Sequence, residues 1–158
     1  MNRRRTGNEE TEMIRIENDP NILRDAFIDA FVDQESVFYK DRIVISLQDS
    51  ESSCYRGYLW ECFKTYDVVS ITWVLHKLSM SCDPVYAMCD LHPEEYFPVG
   101  WDYPRDVVFS FDAKNTEKMI SVLPEDCYFF DDSLRWAIAL THEEIKPGKR
   151  SCIFVNLP

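Results

Sequence analysis

Four residues near the middle of the chain have the types and rough spacing of a metal centre. His76, Cys82, Cys89 and His92 form H-x5-C-x6-C-x2-H, and two thiolates with two imidazoles can surround zinc tetrahedrally. Structural zinc sites pair their ligands through tight turns such as C-x2-C, and only Cys89 and His92 approach that spacing. Packed thiols and ordinary histidines are the preferred reading, and no metal or other cofactor is expected. The six cysteines are Cys54, Cys62, Cys82, Cys89, Cys127 and Cys152, most of them flanked by apolar or aromatic residues. Free cysteine packs as a small apolar group. Nucleophilic catalysis needs a base and an orienting group beside the thiol or hydroxyl, and no glycine-flanked elbow singles out one Cys or Ser. No catalytic residue is assigned.

Carboxylates are the commoner reactive type. Glu94-Glu95, Glu125-Asp126, Asp131-Asp132 and Glu143-Glu144 are adjacent pairs, read as solvated turn residues rather than acid/base couples, which need two different environments. Their number is the signal. Between Asp83 and Glu144 there are fourteen Asp and Glu against Arg105, Lys114, Lys118 and Arg135, so this stretch carries −10 of the formal charge of −11. Aromatic residues crowd the same stretch. Acid interleaved with rings suits a surface that attracts a basic partner and then holds it. The loop from Leu91 to Pro104 is the most unusual segment, with three prolines, four aromatics and three acids. Trp101 and Tyr103 are expected as anchors, with Glu94, Glu95 and Asp102 facing the partner. The hairpin at Asp131 and Asp132 is expected to complete that surface. Equally open is that the loop's rings fold down and cap the sheet.

Two segments resemble a bacterial family, that of domain of unknown function 4275. One is Tyr58-Leu59-Trp60-Glu61-Cys62-Phe63, similar to the family's Leu-Trp-His-x-Phe helix with Glu61 in place of His. The other, Tyr128 to Glu143, resembles its strand–turn–strand ending in Thr-His-Glu, here Thr141-His142-Glu143. The C-terminus departs, with Cys152–Pro158 replacing a Gly-Pro-Tyr-Phe-like ending. The resemblance implies a small immunity-type protein encoded near toxin genes, and it names no catalytic residue. His142 is best read as a hydrogen-bonded structural histidine.

These residues must be positioned by ordinary elements. A chain of 158 residues fits one domain that buries roughly 70% of its unfolded surface. Residues 1–13 are charged and aperiodic and are expected to be a disordered tail ahead of one domain over 14–158. Asp19-Pro20 signals a capped helix start, followed by an apolar stripe from Ile22 through about Val32. Residues 36–47 suit a strand by composition or a second helix, and 48–53 a loop. Tyr55, Tyr58, Leu59, Cys62, Phe63 and Tyr66 fall at helical spacing, and Val69–Leu78 suits a further helix. Strands are then expected at Val85–Met88, Val107–Phe111, Cys127–Phe130, Leu134–Leu140 and Cys152–Val155, with a helix over Ala113–Leu123. Turns are expected at Asp131–Ser133 and over Glu143–Arg150, which contains Pro147-Gly148. The fold class is α+β: N-terminal helices packed on a mainly antiparallel β-sheet in a single domain.

Two of the glycine-rich phosphate-binding motifs are missing, and no apolar run approaches the about 20 residues a bilayer span requires. A pI near 4.6 disfavours nucleic acid and anionic membrane surfaces as partners. A cytoplasmic immunity protein that occludes the active site of a basic toxin is the leading expectation. A nuclease toxin fits, since clustered acid mimics a polyanion. The alternatives are an adaptor with another basic partner, or a thiol- or zinc-dependent enzyme built on His76, Cys82, Cys89 and His92.

Overall fold

The computed structural model describes residues 14–44, 55–92 and 96–158. The expected tail at 1–13, the loop at 48–53, Cys54, Glu94 and Glu95 lie outside the described residues. Seven antiparallel strands form one sheet: β1 (Ile14–Ile16), β2 (Asp67–Val69), β3 (Val85–Cys89), β4 (Val108–Phe111), β5 (Cys127–Asp131), β6 (Trp136–Lys146) and β7 (Lys149–Asn156). Their order is β1-β4-β3-β5-β6-β7-β2. The fold is α+β in a single domain.

Every residue of β3 and β4 is buried, as are the first four of β5 and the first six of β6. Strands apolar at every position need cover on both faces. Helix α1 (Pro20–Phe31) covers one face, over Tyr86, Met88, Tyr128, Phe130, Ala139 and Val155. Its Phe27 ring lies 5.3 Å from Tyr128 and 5.2 Å from Phe130. Helices α2 (Ile71–Ser79) and α3 (Thr116–Val122) cover the other, over Ala87, Phe109, Phe129, Ile138 and Leu140. The helices are therefore not only N-terminal in their contribution. Asp19 precedes α1, with Pro20 as its first residue, but the Asp19 side chain makes no capping bond. The far end of α1 is closed by Lys64, whose Nζ donates to the carbonyls of Asp29 (2.7 Å) and Ala30 (2.9 Å).

Of the two readings open for 36–47, the helical one fits: residues Tyr39–Val44 form a π-helical turn, not a strand. The helical spacing from Tyr55 to Tyr66 yields only one 3-10 turn, Leu59–Cys62. Its amides explain why: Leu59 N donates to the Asp90 carboxylate (3.0 Å) and Trp60 N to the Tyr128 hydroxyl (3.1 Å). Long-range acceptors satisfy the donors at the turn's start, and the chain then leaves it as strand β2. Beyond Thr141, β6 and β7 continue as an exposed two-stranded arm, so the turn expected over 143–150 is confined to Pro147-Gly148, where Gly148 has φ +76°. No helix among the described residues is long and apolar enough to cross a membrane.

Candidate functional site

One end of the sheet gathers the polar chemistry of the molecule. There β3 leaves at Cys89, β5 enters at Cys127, and β6 passes out of the core at Thr141; Cys89 pairs with Cys127, and Cys127 with Leu140. The residues just outside those positions are Asp90, Asp126 and His142. Asp90 has no exposed surface, and Tyr128 donates its hydroxyl hydrogen to the same Asp90 oxygen that receives the Leu59 amide. Burial pushes the Asp90 carboxyl up to about 7, against the pull of those hydrogen bonds and of Arg24. The Tyr128 hydroxyl is driven well above its ordinary range, first by burial and then by the neighbouring Asp90 charge. Arg24 is buried as well and donates to the Cys89 carbonyl at 3.1 Å.

Asp126 holds His142. The imidazole Nδ1 lies 3.1 Å and 3.0 Å from the two carboxylate oxygens, and the His142 amide donates to the first of them at 3.2 Å. Asp126 is buried, whereas 41% of the His142 side chain is exposed. The carboxylate fixes the ring's tautomer and orientation and leaves Nε2 for other contacts. Asp126 is thus not the solvated half of a turn pair; only Glu125 is exposed.

His142 opens onto a cleft of about 300 Å³ that is also lined by Phe38, Arg42, Arg56, Tyr58, Trp60 and Glu143. Tyr58 sits centrally, stacked on His92 at 4.2 Å, with Trp60 at 5.7 Å and His142 at 5.0 Å. Gly57 closes one wall: a Cβ there would lie 2.7 Å from the Phe38 ring, so only glycine lets these two segments approach so closely. The segments at 58–63 and 128–143 meet here. Tyr58, Trp60 and Glu61 form one wall of the cleft, and His142 and Glu143 lie on another. Sequence spacing offers no sign of that convergence, because Tyr58 and His142 are 84 positions apart.

The loop after β3 lies at the same end and packs toward the opposite face. Trp101 does not project. Its ring packs on Phe97 (5.1 Å), Tyr103 (5.3 Å) and Phe109 (5.8 Å), and its Nε1 donates to the Tyr103 carbonyl at 2.9 Å. A turn closes from Trp101 N to Pro98 O at 3.0 Å with Gly100 at φ +84°, the left-handed position a type II turn requires. Arg105 braces the loop by lying 4.8 Å over Phe97 and donating to the His92 carbonyl. What this platform presents is Tyr96, 84% exposed, the fully exposed Val99, the exposed Asp102, and Tyr103, which keeps 43% exposure while packing edge-on to Phe109. Tyr96 was not singled out by sequence; Trp101 supports the surface instead of contacting from it.

Asp131 and Asp132 do not join that surface. Val85 pairs with Asp131 and Cys89 with Cys127, so the hairpin at Asp131 lies at the opposite end of the sheet from the loop. Their carboxylates also have internal work. Asp131 accepts from the Ser133 amide and hydroxyl and from Trp136 Nε1 (2.8 Å), and Asp132 accepts from the Tyr86 hydroxyl (2.7 Å).

His76, Cys82, Cys89 and His92 are not assembled: among the described residues, no three His, Cys, Asp or Glu side chains stand as a metal-holding group. Cys82 is exposed near the end of α2, whereas Cys89 is buried in β3. Burial pushes the Cys62 thiol up to about 12 and raises that of Cys152, the reverse of an activated thiolate. Compared with known protein families, curated proteins and solved structures, the chain matches none.

Proposed function

We propose that this protein is a non-catalytic immunity-type protein that captures a basic protein toxin, a nuclease domain fitting best, and blocks its active site. The observation that carries the reading is the braced platform at 96–104. It offers Tyr96, Val99 and Tyr103 to solvent beside Asp102, on a chain with net charge −11. Exposed rings on a pre-organised loop lose little entropy on binding, and net negative charge steers a basic partner toward them. Asp131 and Asp132 contribute to the field and not to the contact. The exposed acids Glu125, Glu143 and Glu144 lie at the loop's end of the sheet and add to the local charge.

The test is the affinity for a basic nuclease toxin domain. Tyr96→Ala and Tyr103→Ala should each weaken it by roughly tenfold or more, the loss typical of an interface anchor. Asp132→Asn should leave it within about twofold, since it removes a single charge from a net −11 at a place outside the contact surface. Unchanged affinity in the Tyr96→Ala/Tyr103→Ala double variant would sink the reading. A thiol- or zinc-dependent enzyme is less well supported, because its residues are dispersed and two of the buried thiols have raised pKa values.

A further inference from the structure

The pairing of β3 with β5 sets two thiols face to face. Cys89 is the last residue of β3, Cys127 is the first of β5, and the two are direct partners across the strands. Partnered residues point to the same side of a sheet, and both thiols lie in the apolar layer beneath α2 and α3. The next pair outward fixes the geometry further. Asp90 N donates to Asp126 O at 3.0 Å, which makes Asp90 and Asp126 a hydrogen-bonded pair, and in an antiparallel ladder the two kinds of pair alternate. Cys89 and Cys127 are therefore a non-hydrogen-bonded pair, the kind whose side chains approach more closely. The Cα atoms of such a pair stand about 4.5 Å apart, inside the range of roughly 4.4–6.8 Å that a disulfide spans. The other described cysteines are placed differently. Cys127 pairs with Leu140 and Leu140 with Cys152, so two strand spacings of about 4.8 Å each separate those thiols. Cys62 belongs to the opposite face of the sheet, and Cys82 is exposed.

We propose that Cys89 and Cys127 are the site of a reversible disulfide formed by a small peroxide, a covalent staple at the end of the sheet that carries Asp90, Asp126 and His142. With hydrogen peroxide, one thiolate attacks the O–O bond, which breaks; a sulfenic acid forms and the other oxygen leaves as water. The second sulfur then attacks the sulfenic sulfur. The S–S bond forms, the S–O bond breaks, and the departing hydroxide takes the second thiol's proton to give another water. Two electrons pass from the two sulfurs to the peroxide. The second thiol already stands opposite the first, so closure outruns attack by another peroxide molecule. Both thiols are buried, and the first step therefore awaits a local opening. Their place at the strand ends keeps that opening small, since only the terminal part of the β3–β5 ladder must part. The bond encloses the segment that carries the platform, β4 and α3, and so restricts the unfolded chain. None of this depends on what the platform binds.

The test is peroxide treatment of the folded full chain, followed by alkylation, proteolysis and mass spectrometry, with a urea-unfolded sample treated alongside. The exposed Cys82 serves as an internal gauge that the dose is sufficient. In the folded chain the dominant crosslink should be Cys89–Cys127, accompanied by loss of two hydrogens and reversed by dithiothreitol. The linked protein should melt about 5 °C or more above the reduced one. Cys127→Ala should lose both the crosslink and the gain in Tm. The proposal is overturned if Cys89 and Cys127 are recovered as thiols or sulfinic acids at a dose that oxidises Cys82. It is equally overturned if the folded chain gives the same mixture of crosslinks as the unfolded sample, or if the linked protein melts no higher than the reduced one. The peptide map of the wild type decides between these outcomes even where Cys127→Ala fails to fold.

Discussion

A carboxyl group with no exposed surface sheds its proton only when its surroundings replace the lost water, and at Asp90 they do so in part. Tyr128 and the Leu59 amide both donate to one oxygen, yet burial still pushes the group up to about 7 from an ordinary value near 3.8. Because the folded pKa lies above the unfolded one, the folded state holds a proton that the unfolded chain has released between about pH 4 and pH 7. Through this group stability is greatest below pH 4, falls across that window, and is level above it. Asp90→Asn keeps an acceptor for both donors while removing the titration, so urea unfolding at pH 4.5, 6 and 7.5 should show a flatter profile than the wild type. An unchanged slope would assign the dependence elsewhere. Tyr128→Phe is a harsher change, since it removes the donor to Asp90 and the acceptor of the Trp60 amide together. It should cost about 2–3 kcal/mol, the usual penalty for leaving buried polar groups unpaired.

At the scale of elements, the turn at 59–62 and the π-helical turn at 39–44 depend on Gly57, where a Cβ would meet the Phe38 ring at 2.7 Å. Gly57→Ala should destabilise the fold by about 1–3 kcal/mol, and adding Phe38→Leu should recover part of that loss in denaturant melts. Caps differ in the same measurable way. Ser70 accepts the Trp73 amide at 3.1 Å, so Ser70→Ala should cost about 1 kcal/mol, whereas Asp19→Ala removes no capping bond and should be near neutral. The strands at 85–89, 108–111 and 127–131 were legible because each is an apolar run closed by Pro, Asp or Gly, and α1 because Ile22 to Phe31 keeps a helical period. The turn at 59–62 was not, because Asp90 and Tyr128, about 30 and 70 residues away, take amides that local spacing would give to a helix. Strands β1 and β2 are three-residue edges, too short to show alternation. The Asp126–His142 pair and the cleft around it are likewise products of strand pairing. Sequence marked His142 as a bonded histidine but could not supply its partner. It also read the rings at 97–103 two ways, and the structure divides them: Trp101 folds down while Tyr96 stays out.

On the proposed reading, charge and shape act at different stages of capture across the whole molecule. A net charge of −11 produces a field that reaches beyond any single residue, while the platform at 96–104 is proposed to decide what stays bound. Raising salt from about 50 to 500 mM shortens the Debye length from roughly 14 Å to 4 Å, so the association rate with a basic toxin domain should fall by about tenfold or more. The dissociation rate should change far less, which stopped-flow mixing resolves. A dissociation rate that carries most of the salt effect would point to contact ion pairs instead of steering. The central claim is that the loop platform is the contact surface. Its most direct test is the amide hydrogen-exchange footprint of the bound basic toxin domain on this protein. Protection concentrated at 96–107, with the hairpin at 131–135 and helix α2 unchanged, is the predicted result; protection centred on that hairpin or on α2, with the loop exchanging as in the free protein, would contradict it.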